Sequence, residues 1–367
     1  MKYVLRCLCG LMGWLLGGAA LAQSVVFISP GKSDEIYWVT ASRAMEAAAK
    51  SLGLQYEVQF AERNHLRVLE FAREISTRPS GKRPDYAIFS NDYGTGPELL
   101  RMFDAAGIKT LMAFSGITAP SERALTGRPR ERYKTWLGSI EPHAEDAGYL
   151  TAQTLIAKGR AAKAHGTDGK LHVLAISGDR STPVSVRRGE GMRRAVAEAP
   201  DAVVDQEVFA AWSRDKAAEQ AEVLFQRYPQ ARLIWTGSDQ MAFGAMQVWE
   251  KRGGTAGKDG WFSAVNTSRE ALDAVKSGRL SALAGGHFIA GAWAIVLIHD
   301  HAKGRDFVDE GLEMDQFMFT LFTPDEADLF LTRFGDMDFK SINFNRYSKV
   351  QNPKLKRYDF NFRQLLR

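Results

Sequence analysis

Cysteine is nearly absent from this chain: 367 residues hold two, Cys7 and Cys9. Both fall in an apolar leader, so the body of the protein has no disulfide, thiol nucleophile or cysteine-based metal site. Strong charge of one sign is also missing. The formal net charge of +5 drops to about +3 without Lys2 and Arg6, too little to argue for nucleic acid. The one long apolar run, Leu8–Leu21, is too short and glycine-rich for a membrane span. With Lys2 and Arg6 before it and Ala20-Leu21-Ala22 at its end, it reads as a secretory signal over residues 1–22, cut before Gln23. No cysteine stands at that point to carry a lipid. GxGxxG, Walker A and GxSxG sequences are absent, so no cofactor is expected. An exported protein has no ready ATP or reduced nicotinamide, which turns the reading from catalysis toward solute binding.

About 345 residues remain after the leader, enough for two ordinary domains. Strand-like and helix-like segments alternate. Val25–Ile28, Gln55–Phe60, Asp85–Phe89 and Lys109–Phe114 read as strands. Helices are expected at Tyr37–Leu52, Leu66–Ser76 and Glu98–Ala106, with Gly53 and Gly107 as C-caps. The rhythm resets around Tyr133–Ile140. It resumes with strands Leu171–Ser177, Val203–Phe209, Leu233–Thr236, Phe262–Val265 and Leu280–Ala284. Between them helices are expected at Arg188–Glu198, Asp215–Tyr228, Met241–Arg252 and Ser268–Ser277. Residues 116–132 and 159–170 read as loops. The pattern predicts an α/β fold of two doubly wound parallel-sheet lobes.

Open parallel sheets bind ligands beyond the carboxyl ends of their strands. The loops there combine aromatic rings with planar or anionic hydrogen-bonding groups, which is what a sugar needs: ring faces for its C–H groups and paired bonds for its hydroxyls. The candidate ligand set is Glu35, Tyr37, Trp38, Asn91, Asp92, Ser115, Arg188, Trp212, Asp239, Asn266 and His287. Bland roles compete with this one. Trp38 is a ligand contact or a core anchor, and Trp212 a contact or a seal on the second lobe. Arg188, read as opening a helix, sits unfavourably against the helix dipole, which favours a site role. Asp239 would serve as an N-cap and still face the cleft. His287, His299 and His301 lack the spacing of a metal site, so none is expected. Glu35 and Asp239 make a weak glycosidase pair, and an exported glycoside hydrolase stays as the minor reading.

Four stretches resemble the ribose-type periplasmic sugar-binding proteins (class I solute-binding proteins). Ser29-Pro30-Gly31 through Tyr37-Trp38-Val39 resembles the first ligand loop. Arg188-Gly189-Glu190-Gly191-Met192 is similar to an Arg-x-x-Gly-Phe segment. Gly237-Ser238-Asp239-Gln240-Met241-Ala242-Phe243-Gly244-Ala245 resembles Asn-Asp-x-Met-Ala-x-Gly-Ala. Ser263-Ala264-Val265-Asn266 stands where the family has Gly-Phe-Asp. Within the family, Pro30-Gly31, Tyr37-Trp38-Val39, Ile117-Thr118-Ala119-Pro120 and Arg188-Gly189 look nearest to members of the autoinducer-2 receptor type. Phe114-Ser115, Asn266 and Gly286 depart from those members, so a different sugar-like ligand is expected.

The resemblance implies a three-segment hinge, an N-terminal lobe of 24–138 plus 286–312, a C-terminal lobe of 139–285, and closure on ligand. Trp38, Arg188 and Asp239 would be contacts. It also implies a periplasmic monomer that meets a sugar-like small molecule and an inner-membrane ABC permease, or alternatively a transmembrane sensor; nucleic acid is not a partner. Residues 313–367 would hold the last crossover, Gln316–Phe322, and a short helix, Pro324–Phe334. The aromatic and basic remainder would be a strap across a lobe or a docking arm.

Overall fold

The computed structural model describes residues 22–366; the leader reading lies outside them, apart from Ala22. The elements run β1 (Ser24–Ser29), α1 (Ile36–Leu52), β2 (Gln55–Phe60), α2 (His65–Thr77), β3 (Tyr86–Phe89), α3 (Gly96–Ala105), β4 (Lys109–Ala113), α4 (Pro120–Thr126) and β5 (Trp136–Pro142). Then come α5 (Ala144–Ala161), β6 (Leu171–Ser177), α6 (Pro183–Ala197), β7 (Ala202–Phe209), α7 (Arg214–Arg227), β8 (Leu233–Thr236), α8 (Asp239–Lys251), β9 (Trp261–Val265), α9 (Arg269–Lys276) and β10 (Ala282–Gly285). The chain closes with α10 (Ala290–Ala302), β11 (Glu313–Gln316), β12 (Thr320–Leu321) and α11 (Pro324–Phe334).

Two six-stranded sheets result, ordered β11-β5-β4-β3-β1-β2 and β12-β10-β9-β8-β6-β7. All pairings are parallel except β10 with β12. Central strands are covered on both faces, which is why β1 reads as an unbroken apolar run. Val25 and Phe27 point to the core under α1 and α10, while Val26 and Ile28 point to the core under α2 and α3. α1 stops at Gly53 (φ +71), whose N–H bonds back to the carbonyls of Ala49 and Lys50. Asn64, Ser213, Ser238 and Ser268 cap their helices with side-chain oxygens.

The structure moves several sequence-drawn boundaries. The proposed lobe border at 138/139 cuts β5, which continues to Pro142 in the first sheet. Residues 313–316, assigned to the extension, form β11 beside β5. The chain therefore changes lobes at 142–144, 285–290 and 316–320, the three hinge segments. Residues 116–132 are not all loop, since α4 lies within them. α6 begins at Pro183, five residues ahead of the expected start; a proline in the first turn after Thr182 is the start signal. Arg188 is thus inside the helix, not in its first turn.

The long α5 is masked in sequence because glycine, alanine and threonine build most of its packing face, with Leu155 and Ile156 beside them. A Cβ on Gly148 would lie 1.8 Å from the carbonyl oxygen of Arg188, and one on Gly191 2.0 Å from that of Glu145. Only glycine lets α5 and α6 touch backbone to backbone there.

The tail is a strap. Phe344, Tyr347, Phe360 and Phe362 are all buried, which removes the aromatic face a docking arm would present.

Candidate functional site

A cavity lies between the lobes at the carboxyl ends of both sheets. Every candidate residue except Asn91 lines it. The first lobe supplies Glu35, Tyr37, Trp38, Asp92 and Ser115. The second supplies Arg188, Trp212, Asp239 and Asn266, and the hinge supplies His287. Asn91 is buried but committed elsewhere. Its amide nitrogen donates to the Gly116 carbonyl (3.1 Å) and Glu122 (2.8 Å), and its oxygen accepts from the Gly96 N–H (2.8 Å). It shapes the loop after β3 and is corrected out of the site.

Arg188 is the centre of the wall. Its Nη1 donates to the Gly237 carbonyl (2.8 Å) and its Nη2 to His287 Nε2 (2.9 Å). The guanidinium lies over the rings of Trp212 and Phe319, 5.7 Å from each centroid. Burial pulls its pKa down to about 10, against the opposing pull of Tyr37, Asp239 and Asp92. His287 is held well below its ordinary value by burial and then by Arg188, so it is neutral. With Nε2 accepting from Arg188, the ring proton sits on Nδ1. His287 stacks between Tyr37 (4.8 Å) and Phe319 (4.6 Å).

Two carboxylates complete the polar set. Asp92 Oδ1 accepts from Ser90 and Ser115, each at 3.2 Å. Asp239 Oδ1 accepts from the Gln240 N–H (2.8 Å) and Asn266 Nδ2 (2.9 Å). Burial raises both pKa values. Ser238, not Asp239, caps α8, which leaves Asp239 aimed at the cavity. Glu35, the other half of the hydrolase pair, is taken by a two-pronged bond from Arg63.

Four buried donors around the cavity have no hydrogen-bond partner among the described residues: Arg188 Nε, His287 Nδ1, Trp38 Nε1 and Trp212 Nε1. Such groups are costly unless something else satisfies them. The backbone is strained at the same place. Arg63, Tyr93, Phe114, Trp212 and Asn266 all adopt positive φ, from +59° to +115°, a pattern that clusters at ligand sites. The lobes are closed: the Tyr93 N–H donates to the Ser181 carbonyl across the cleft (3.1 Å), and Arg63 lies over the Trp212 ring (5.9 Å).

Trp38 is buried in the core of the first lobe and also lines the cavity. Its ring lies on Gly31 and meets Phe114 edge-on at 5.1 Å. Arg63 escaped the sequence reading although the strand-end rule points to it, because the loop after β2 was passed over. Pro142 and Val184 were missed with the ends of β5 and α6. Phe288, a strand-end aromatic, packs instead on Phe339 and Phe362. His299 bonds Asp300 and His301 bonds Tyr86.

Two parallel-sheet lobes, three crossovers and a closed, polar-and-aromatic cleft define a bilobal solute-binding architecture. Residues 25–306 match the family described as periplasmic binding protein domain, and the chain belongs to that family. Among solved structures it is similar to a periplasmic sugar-binding protein from Pseudomonas fluorescens (37% identity, 94% of this chain and 100% of that one, TM-score 0.84). The fold is shared with an ABC transporter periplasmic solute-binding protein from Actinobacillus succinogenes with bound D-allose (18% identity, 83% and 99% covered, TM-score 0.70). It is also shared with the binding component of the arabinose ABC transporter of Shewanella sp. ANA-3, bound to L-arabinofuranose (19%, 87% and 96%, TM-score 0.68). No curated protein matches the chain. No helix among the described residues is long and apolar enough to cross a membrane.

Proposed function

We propose that this chain is an exported, non-enzymatic binding protein that encloses one neutral sugar or polyol and presents its closed form to an inner-membrane ABC importer. One observation carries the reading. The residues that carry the unsatisfied donors, Arg188, His287, Trp38 and Trp212, line the same cavity as Asp92 and Asp239. A hydroxyl both donates and accepts, so a polyhydroxylated ring satisfies both sets, and the indole and phenol rings take its C–H faces. Arg188 is outnumbered by the two carboxylates, which disfavours a phosphate or carboxylate ligand.

Calorimetric melting with L-arabinose, D-allose, D-galactose and myo-inositol, beside ribose 5-phosphate and gluconate, tests this. One of the neutral compounds should raise the melting temperature. Stabilisation by the anions alone would overturn the proposal. Export with removal of residues 1–22 predicts Gln23 at the amino terminus of the protein recovered from the periplasm.

A further inference from the structure

The chain does not leave the hinge after its third crossing. α11 packs along α9 of the second lobe, held at its flanks by Lys276 on Asp328 (2.6 Å) and Arg269 on the Gly335 carbonyl (2.9 Å). The next residues step onto α1 of the first lobe. Arg43 donates to the Asp336 carbonyl (3.3 Å), and the Thr40 hydroxyl meets Met337 (3.2 Å).

Residues 339–360 then lie on the first lobe. Tyr347 and Phe360 pack on Trp293 of α10 at 4.7 and 5.0 Å. Asp300, at 0% exposure, accepts from the Ser348 hydroxyl, the Lys349 N–H (2.6 Å) and the Tyr358 hydroxyl (2.9 Å). These are buried, charge-assisted anchors rather than surface decoration. The end of the chain turns back. Arg363 pairs with Glu326 of α11 (3.1 Å), and Phe362 enters the ring cluster of Phe288, Phe322 and Phe330.

Phe362 also lies against the hinge. A Cβ on Gly286 would sit 2.3 Å from its ring, and Gly286 holds φ +105. The next residue is His287, which accepts the Arg188 hydrogen bond in the cleft. The tail therefore touches both lobes and the turn that presents a site residue.

We propose that residues 335–366 tie the two lobes together on the hinge side, and that Phe362 is a positioning residue that seats the Gly286-His287 turn. The tie crosses from the second lobe to the first near 335–339 and returns near 359–363. It adds to the three covalent hinge segments and narrows the range over which the ligand-free lobes open.

Small-angle scattering of the ligand-free protein, well below its melting temperature, reads that range directly. Phe362→Ala should increase the radius of gyration and broaden the distance distribution, while Phe362→Leu should restore wild-type values. A folded Phe362→Ala protein with the wild-type radius would overturn the proposal. Hydrogen exchange on the unmodified protein gives a second reading if the alanine variant does not fold. Amides of 339–366 should be protected to the level of α1 and α10. Exchange of that segment at the rate of a free peptide would equally refute the tie.

Discussion

Replacing Arg188 with methionine separates binding from folding. The guanidinium is buried, and its pKa falls from 12.5 to about 10, a penalty on the charged folded form of roughly 3 kcal/mol. A base whose folded pKa is depressed weighs against folding at every pH below that value, so the full penalty is present at neutral pH. Methionine fills similar volume and removes it. In exchange the Gly237 carbonyl and His287 Nε2 both lose their donor, a cost of about 2–6 kcal/mol at 1–3 kcal/mol for each buried acceptor. The two terms leave the ligand-free variant between about 1 kcal/mol more stable and about 3 kcal/mol less stable than the wild type, well short of unfolding it. Binding should suffer by about 2–5 kcal/mol, the usual cost of truncating one partner of a desolvated charged contact. A ligand held at a thousand times its wild-type Kd stabilises by about 4 kcal/mol, and a thousandfold weaker site keeps only about 0.4 kcal/mol of that. Scanning calorimetry with and without the sugar that shifts the wild type measures both numbers. A melting temperature that drops while the ligand shift survives would refute the reasoning and make Arg188 a structural residue.

Three further outcomes follow from the geometry. Trp38→Ala should cost about 3–5 kcal/mol of stability as well as binding, because that ring sits in the core; Trp212→Ala should cost binding with the smaller stability loss, and denaturant titration beside calorimetry tells them apart. Arg63→Ala breaks the Glu35 pair and the contact over Trp212, so stopped-flow release should speed up about tenfold with a smaller change in the rate of capture; an unchanged off-rate removes Arg63 from the closing contact. Burial opposes the charge on His172, but the hydrogen bonds its ring donates to Asp205 and Asp168 win and raise its pKa above 6.5. That stabilisation is complete below about pH 6 and fades as the pH climbs through the raised value, so His172→Gln should flatten the fall in melting temperature on the alkaline side of 6.5.

Which parts of the molecule were readable from sequence follows from how burial is written in it. β1 and β8 are sandwiched between helices, so their unbroken apolar runs announce them. α5 packs mostly through glycine, alanine and threonine, and α10 is apolar all round; neither shows the one-sided stripe that marks a surface helix. The lining of the interlobe cavity was legible wherever a strand end could be found, as at Asp92, Ser115, Asp239 and Asn266. It failed at Asn91, because an amide that fastens a loop and an amide that greets a ligand are the same residue type in sequence. The tail's route was invisible: residues 339–362 are brought to α10 by Asp300 and Trp293, partners tens of residues away that no local pattern connects.

Both sheets count off their strands in the same succession, 2-1-3-4-5 in the first and 7-6-8-9-10 in the second. The corners of the cleft are consequently matched by rank: Trp38 with Arg188, Arg63 with Trp212, Asp92 with Asp239, Ser115 with Asn266, Pro142 with His287. One blueprint is used twice, with different chemistry written at each corner. Every substitution in one half thus has a built-in control at the corresponding corner of the other.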